Sequence, residues 1–408
     1  MGFQQGLSGL NASSLSLEVI GNNIANAGTY GAKAARAEFA DMYARSLGAS
    51  NTPGIGVQVG AIAQQFSQGG IVSTGNLMDV AINGEGFFQL KDTSGELVYS
   101  RNGQFKLDAD GYIVNGGGQR LLGYPTDTAG NLITQVRSEL RLPTQGISPK
   151  ATSEIDMEIN LDSRKGAITG AIDYADPKTY NNATSVRVYD QKGQPVDVTL
   201  YFQKTAADTW NIYTTAPDTA ADADTLPQQL DMTTVTFDAA GLHPSVGSIT
   251  LNIPAGDSND AIGNVKLDIS AFTQYGANFG VTDVTQNGYA PGQLTQLTIE
   301  DNGVITARYS NSMTQPAGQI ELANFRNPQG LQSVGGNVWV STYASGDPTA
   351  GVPGSGSVGL LKSGALEESN VDMTAELVNM ITAQRLYQAN AQTIKTEDQV
   401  MQTLVNLR

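Results

Sequence analysis

The chain has 408 residues, no cysteine, a single histidine and a formal net charge of −16. Its length predicts two or three domains with ample core material, and its acidity argues against nucleic acid, whose phosphates require Lys and Arg. The lack of cysteine excludes disulfides, thiol catalysis and thiolate metal sites.

The charge is unevenly placed. Residues 1–48 hold three basic and three acidic groups, residues 365–408 three and six, which leaves −13 of the −16 to the middle. The ends are therefore nearly neutral and adhesive, while the centre is a self-repelling surface. Met1-Gly2-Phe3-Gln4-Gln5-Gly6 has neither a basic start nor an apolar run, so no cleaved secretory signal is expected. Gly6 also stands where myristoylation needs Ser or Thr. No stretch approaches the roughly 18 apolar residues of a spanning helix, so no membrane insertion is expected.

The first predicted element is a helix. Leu7, Leu10, Ser14, Leu17, Gly21 and Ile24 repeat at 3-4 spacing, flanked by Leu15, Val19 and Ile20. It ends in Asn22-Asn23-Ile24-Ala25-Asn26-Ala27-Gly28, because Asn and Gly favour helix ends and turns. Residues 31–48 are read as a helical continuation through Phe39, Met42 and Tyr43, and residues 49–76 as an extended connector. From Val80 the period becomes two. Ala81–Leu90 reads as a turn between strands, followed by short strands at Leu97–Ser100, Gln104–Leu107 and Tyr112–Val114. A second β block runs from Ile155 to about Thr285, with strict alternation in Val196–Phe202. In a third block, Leu294–Glu300 meets Val304–Tyr309 across Asp301-Asn302-Gly303, a strong hairpin signal. Residues 344–364 are rich in Gly, Ser and Pro and read as a linker.

From Ala365 to Arg408 there is no Gly and no Pro. A helix over that stretch would run about 66 Å, with Asp372 and Glu376 at its start and Arg408 at its end, as the helix dipole favours. Met373, Leu377, Met380, Gln384, Tyr387, Ala391, Ile394, Asp398, Met401 and Val405 keep an unbroken 4-3 spacing, mostly apolar, with Leu404 and Ile381 beside it. A second row, Arg385, Gln388, Gln392, Lys395, Gln399, Gln402 and Asn406, is nearly all amide. The N-terminal helix is the one partner within the chain, and it is about half as long. Two readings follow: a pair of helices lying on a globular domain, or a stripe that neighbouring copies must cover.

The expected architecture is multidomain and mainly β with terminal α-helices. The N- and C-terminal helices (1–30 and 366–408) pair as a coiled-coil-like core. A connector (31–76 and 344–365) leads to two nested antiparallel β domains that project outward, an inner one (77–146 and 285–343) and an inserted outer one (147–284).

Catalytic motifs are weak. His243 is the only histidine, so any Ser-His-Asp arrangement depends on a residue in a turn. Gly354-Ser355-Gly356-Ser357-Val358-Gly359 matches a dinucleotide fingerprint by letters, without the strand and helix that would make it one. Asp108-Ala109-Asp110-Gly111 resembles part of an EF-hand loop, but Gly117 stands where the closing Glu belongs, so a hairpin turn is preferred. No cofactor and no metal are expected. A carboxylate pair for glycan hydrolysis is the enzyme reading left open.

Two terminal signatures carry a resemblance. Gly21-Asn22-Asn23-Ile24-Ala25-Asn26-Ala27-Gly28-Thr29-Tyr30-Gly31-Ala32-Lys33 is similar to the N-terminal signature of bacterial flagellar rod and hook proteins. Glu367–Asp372, Glu376–Ile381, Ala383–Thr396 (including Tyr387, Asn390 and Ile394) and Leu404–Arg408 resemble the matching C-terminal end. Asp79–Phe88 and Tyr99–Phe105 resemble stretches of the same family, and the large insertion at 147–284 resembles its hook members. Ala32 departs from the bulky residue usual there.

The resemblance implies a structural subunit without catalysis, polymerising with itself into a curved, flexible tube that carries torque and encloses an export channel. It implies partners in the rod, hook cap and hook–filament junction, and export by the flagellar type III apparatus to the cell exterior. Leu7, Leu10, Leu17, Ile20, Asn22, Asn23, Ile24, Asn26, Thr29, Gly31, Leu377, Met380, Ile381, Tyr387, Asn390, Ile394, Met401, Leu404 and Val405 are the expected assembly residues. The amide row is either a channel lining or an ordinary solvated face. A distal rod subunit of the family, and a monomeric extracellular glycan-binding protein or hydrolase with a helical stalk, are the alternatives.

Overall fold

The computed structural model describes residues 2–42, 56–127, 130–143, 145–216, 227–256 and 259–406. The chain is mainly β with one long helix at each end, α1 (Gly2–Ala25) and α2 (Met373–Asn406). It divides into two compact units: Met1–Thr144, Gln296–Ala307 and Gln315–Arg408 in the first, Gln145–Thr295 and Arg308–Thr314 in the second.

The second unit is a sandwich of two sheets. One is an antiparallel meander of Asn182–Tyr189, Pro195–Ala206, Thr209–Ala216 and Gln228–Thr236. Alternation drives it: Val196, Val198, Leu200 and Phe202 point inward and are buried with Trp210, Ile212 and Val235. The other sheet centres on Glu154–Asp162, whose Ile155, Met157, Ile159 and Leu161 complete the same core. That strand pairs antiparallel with Gly280–Gln286 and parallel with Ile262–Asp268 and Thr273–Tyr275, which adds parallel pairs to an otherwise antiparallel framework.

The first unit holds the terminal helices and a β framework. Its early strands are β1 (Ala35–Met42), β2 (Gly56–Gln64), β3 (Ile71–Ser73), β4 (Val80–Asn83), β5 (Phe87–Lys91) and β6 (Leu97–Ser100). β5 pairs with β6, Arg120–Tyr124 and Leu322–Asn324, and β6 also pairs with Val338–Val340. An aromatic knot fills this framework. Phe66 meets Phe87 and Trp339 edge-on at 5.4 and 5.6 Å, and Tyr99 meets Phe325 at 4.7 Å. The Trp339 indole N–H donates to Gln64 Oε1 at 2.5 Å, so the end of β2 is anchored in the core of the framework.

Three local expectations need correction. Residues 35–42 form a strand and not a helix, although Ala, Arg, Glu and Met favour helices: β2 offers a β-branched partner, and tertiary pairing overrides propensity. Tyr43, at the end of that expected helix, lies outside the described residues. The stretch 344–364 is threaded with short strands and is no free linker: Thr349–Gly351 pairs with Leu322–Asn324, and Leu360–Ser363 with β4. Ala365–Glu367 likewise pairs with β3, so the long helix starts only at Met373 and spans 34 residues, about 51 Å. Arg408, expected at its last turn, lies outside the described residues.

Candidate assembly surface

Helix α1 ends where its Asn-rich sequence predicts. The Asn26 amide N–H donates to the Asn22 and Asn23 carbonyls at 3.1 and 3.2 Å, and its side chain caps the Asn22 carbonyl at 3.0 Å. Gly31, at φ 71°, then turns the chain, and Asn102 backbone lies 2.6 Å from where a Cβ would stand. Helix α2 is capped by Asp372, whose carboxylate accepts the Thr374 and Ala375 N–H groups at 2.9 and 3.1 Å.

The helices pair antiparallel. A Cβ on Gly6 would lie 3.0 Å from Ile394 and one on Gly9 2.8 Å from Asn390, while the Asn23 amide donates to Glu376 Oε1 at 2.9 Å. The seam on α1 is therefore Gly6, Gly9, Ser13, Ser16, Ile20 and Asn23, one position before the leucine row. It consists mostly of small residues that let the helices approach closely. Opposite lie Glu376, Met380, Ala383, Asn390 and Ile394, all buried or half-buried.

The remaining expected residues divide by exposure. Ile20, Asn23 and Gly31 are buried, and Leu10, Leu17, Ile24, Asn26, Thr29, Met380, Asn390 and Ile394 are half-buried. Leu7 and Asn22 are exposed, and the leucine row lies one position off the seam, half-buried at Leu10, Leu17 and Ile24. Leu377, Ile381, Tyr387, Met401 and Val405 are exposed at 47, 52, 37, 59 and 71%. Arg385, Gln388, Gln392, Lys395, Gln399 and Gln402 are exposed together along one side of α2. Leu404 and Asn406 stand on its last turn.

The root of the helix pair is a buried charge cluster that sequence reasoning missed. Lys33 Nζ lies 2.6 Å from Glu367 Oε1, both side chains fully buried, and Arg101 Nη1 lies 3.2 Å from Glu367 Oε2. The Gly69 N–H donates to the same carboxylate at 2.9 Å, Lys33 also donates to the Ser67 carbonyl at 2.8 Å, and Arg101 to the Gly84 carbonyl at 3.0 Å. Burial pulls the Lys33 ammonium and the Arg101 guanidinium below their usual ranges, against the pull of Glu367. Asn370 adds a backbone clasp: its amide donates to the Gln65 carbonyl at 2.7 Å and its oxygen accepts Ala34 N–H at 2.7 Å. One joint thus ties the segment after α1, the inner β framework and the strand before α2. The available signal was a lone Lys among small residues at Gly31-Ala32-Lys33-Ala34 and a carboxylate just ahead of the long helix.

Elsewhere the motifs do structural work. His243, at φ 53°, sits with Nδ1 2.9 Å from Asp238 Oδ2, and Asp238 also accepts the Ala240 and Leu242 N–H groups, which makes a braced turn. Asp108 Oδ1 accepts the Asp110 and Tyr112 N–H groups within its hairpin turn. Gly354 and Gly356 take left-handed φ of 80° and 59°, and a strand follows, not a helix. Among the described residues no cluster of His, Cys, Asp or Glu is arranged to hold a metal ion, and no helix is long and apolar enough to cross a membrane.

Comparison with known proteins matches four family segments in chain order. These are the Flagella basal body rod protein (residues 3–33), the Flagellar hook protein FlgE/F/G D1 domain (81–172), the Flagellar basal body protein FlaE D2 domain (160–289) and the Flagellar basal body rod FlgEFG protein C-terminal (362–407). The flagellar hook protein FlgE of Salmonella typhimurium is 44% identical over the whole of both chains, and that of Escherichia coli strain K12 is 43% identical over the same extent. Among solved structures, the Helicobacter pylori flagellar hook protein FlgE2 shares the fold, with a TM-score of 0.54 at 15% identity over 73% of this chain and 99% of that one. With end-to-end identity of this order and all four segments in register, the chain belongs to the flagellar hook protein family.

Proposed function

We propose that this hook subunit polymerises through its paired terminal helices into a curved, flexible tube that transmits torque from rod to filament and encloses an export channel. The observation that carries the reading is the apolar surface left open on α2, where Leu377, Ile381, Met401 and Val405 stand about half exposed or more among the described residues. Exposed side chains of this size, spaced along 34 residues, favour burial against other copies. In this reading residues 1–30 and 366–408 form the polymer core and residues 31–76 and 344–365 the connector. The β parts, 77–146 with 285–343 and 147–284, face outward. The row Arg385, Gln388, Gln392, Lys395, Gln399, Gln402 and Asn406 lines the channel, where amides give a wet, weakly charged wall. The partners are further copies, the rod, the hook cap and the hook–filament junction proteins. The type III export apparatus delivers the chain to the cell exterior without signal cleavage. The work is mechanical, and no catalysis or cofactor enters it.

Electron microscopy and light scattering of the concentrated protein test this. The full chain is expected to form curved tubes, and a variant lacking residues 2–25 and 373–408 to remain monomeric. Polymers that persist in the truncated variant would overturn the assignment of assembly to the helices, and straight polymers would favour a distal rod subunit.

A further inference from the structure

Within the first unit, the sheet that carries the aromatic knot also carries a groove of about 780 Å³. Strand β5 alternates, so Phe87, Gln89 and Lys91 share one face: Phe87 belongs to the knot, while Gln89 and Lys91 line the groove. Gln89 and Leu122 are buried and form its floor, with Leu97 and Tyr112 beside them.

The groove runs against the charge of the chain. Its lining sets Lys91, Arg137 and Arg141 against Glu139 alone, in a protein of net charge −16. Glu139 is shared, 2.9 Å from Lys91 and 2.7 Å from Arg120. Arg141 has no carboxylate partner among the described residues; its Nε–H donates to the Asp110 carbonyl at 2.8 Å. The Arg120 and Arg141 guanidinium groups lie 4.0 and 5.9 Å from the centroid of the Tyr112 ring, which holds both in place. Asp92 and Asp108 line a neighbouring depression beyond Lys91, not this groove.

Behind the wall stands an unmet acceptor. Arg137 Nε lies 3.2 Å from Glu321 Oε1, and the Tyr124 hydroxyl donates to the same oxygen at 2.7 Å. Glu321 is fully buried, and its Oε2 has no hydrogen-bond partner among the described residues. A buried carboxylate oxygen without a donor is costly. Arg137, half exposed, links this carboxylate to the groove.

We propose that the groove binds an acidic sugar. Its cations call for a carboxylate, the unmet Glu321 oxygen for a hydroxyl that donates, and Leu97 and Leu122 for the C–H face of a ring. An acidic peptide fits less well, because the backbone at these walls is already paired. Ser138–Glu139 pairs with Arg120–Tyr124, and Tyr112 bridges to Arg141, so an extended chain finds no strand edge to join. The site lies apart from the terminal helices and does not depend on assembly.

Calorimetric titration of the dilute full chain tests this, with trigalacturonate as the probe and maltotriose and triglutamate as comparisons. Trigalacturonate is expected to bind saturably, one per chain, and more weakly as salt is raised. Maltotriose and triglutamate are each expected to bind about tenfold more weakly or not at all. Arg141→Gln, at an exposed position, is expected to weaken trigalacturonate about tenfold, and Arg187→Gln, exposed on the second unit, to leave it unchanged. Absence of trigalacturonate binding at millimolar concentration would overturn the proposal, as would an equal loss in both variants. Equal binding of triglutamate would assign the groove to acidic peptides instead, and equal binding of maltotriose would remove the role given to the cations.

Discussion

Glu367 is the residue on which the joint turns, because one carboxylate serves two buried cations and a backbone N–H. Glu367→Gln leaves Lys33 and Arg101 buried without their counter-charge, which costs about 3–5 kcal/mol. Urea unfolding followed by Trp339 fluorescence is the measurement; a loss under about 1 kcal/mol would show that the charges are solvated or paired elsewhere. At the second unit, Arg164 grips Asp162 through its guanidinium and its backbone N–H and holds the carboxyl down to about 2. That lies below the ordinary Asp value of 3.8, so the unfolded chain takes up the proton first as pH falls. The stabilisation is complete above about pH 4 and is lost as pH drops towards 2. Acid unfolding of Asp162→Asn is expected to show a shallower dependence on pH in that window than the wild type, and identical slopes would count against the pairing. Neither residue's pairing was legible: Glu367 opens a family-signature stretch, but a lone acidic residue carries no sequence mark of burial or of a partner 266 positions away, as Arg101 is from Glu367.

The helices show how far periodicity reaches. The rhythm of α1 and its end at the asparagines follow from local chemistry and stand where the sequence predicts them, while Asp372, expected near the start of α2 for its charge, proves to be the residue that caps it. The face of α1 that meets α2 does not. Leucine at 3-4 spacing marked one row, whereas the seam uses Gly6, Gly9, Ser13 and Ser16 because small residues permit the closer approach. Gly9→Leu is therefore expected to destabilise the pair by about 1–3 kcal/mol through overpacking, even though Leu favours helices over Gly. Ser14→Leu, on the exposed side of α1, is the control. Circular dichroism melting at 222 nm separates the two; a Gly9→Leu protein that melts at or above the wild type would displace this seam. The strand β1 illustrates the same limit, since its helix-favouring residues pair with a β2 that lies more than a dozen positions further on.

At the scale of the whole molecule, the truncated chain lacking residues 2–25 and 373–408 keeps Lys33, Glu367 and Asn370. It is expected to retain its β circular dichroism and a cooperative transition, because the aromatic knot and the sandwich core draw nothing from the helices. A collapse of the β signal on truncation would mean that the helices hold the framework together. The terminal placement of both helices, the β middle with its inserted block, the acid-rich centre and the family signatures were all legible in one dimension. Hydrophobic period, turn residues and composition are properties of neighbouring positions, and they suffice for element type and for membership of a family. The buried triad, the small-residue seam and the strands threading residues 344–367 depend on residues brought together across hundreds of positions. Contacts of that kind are set by how faces pack, and packing leaves no periodic trace along the chain.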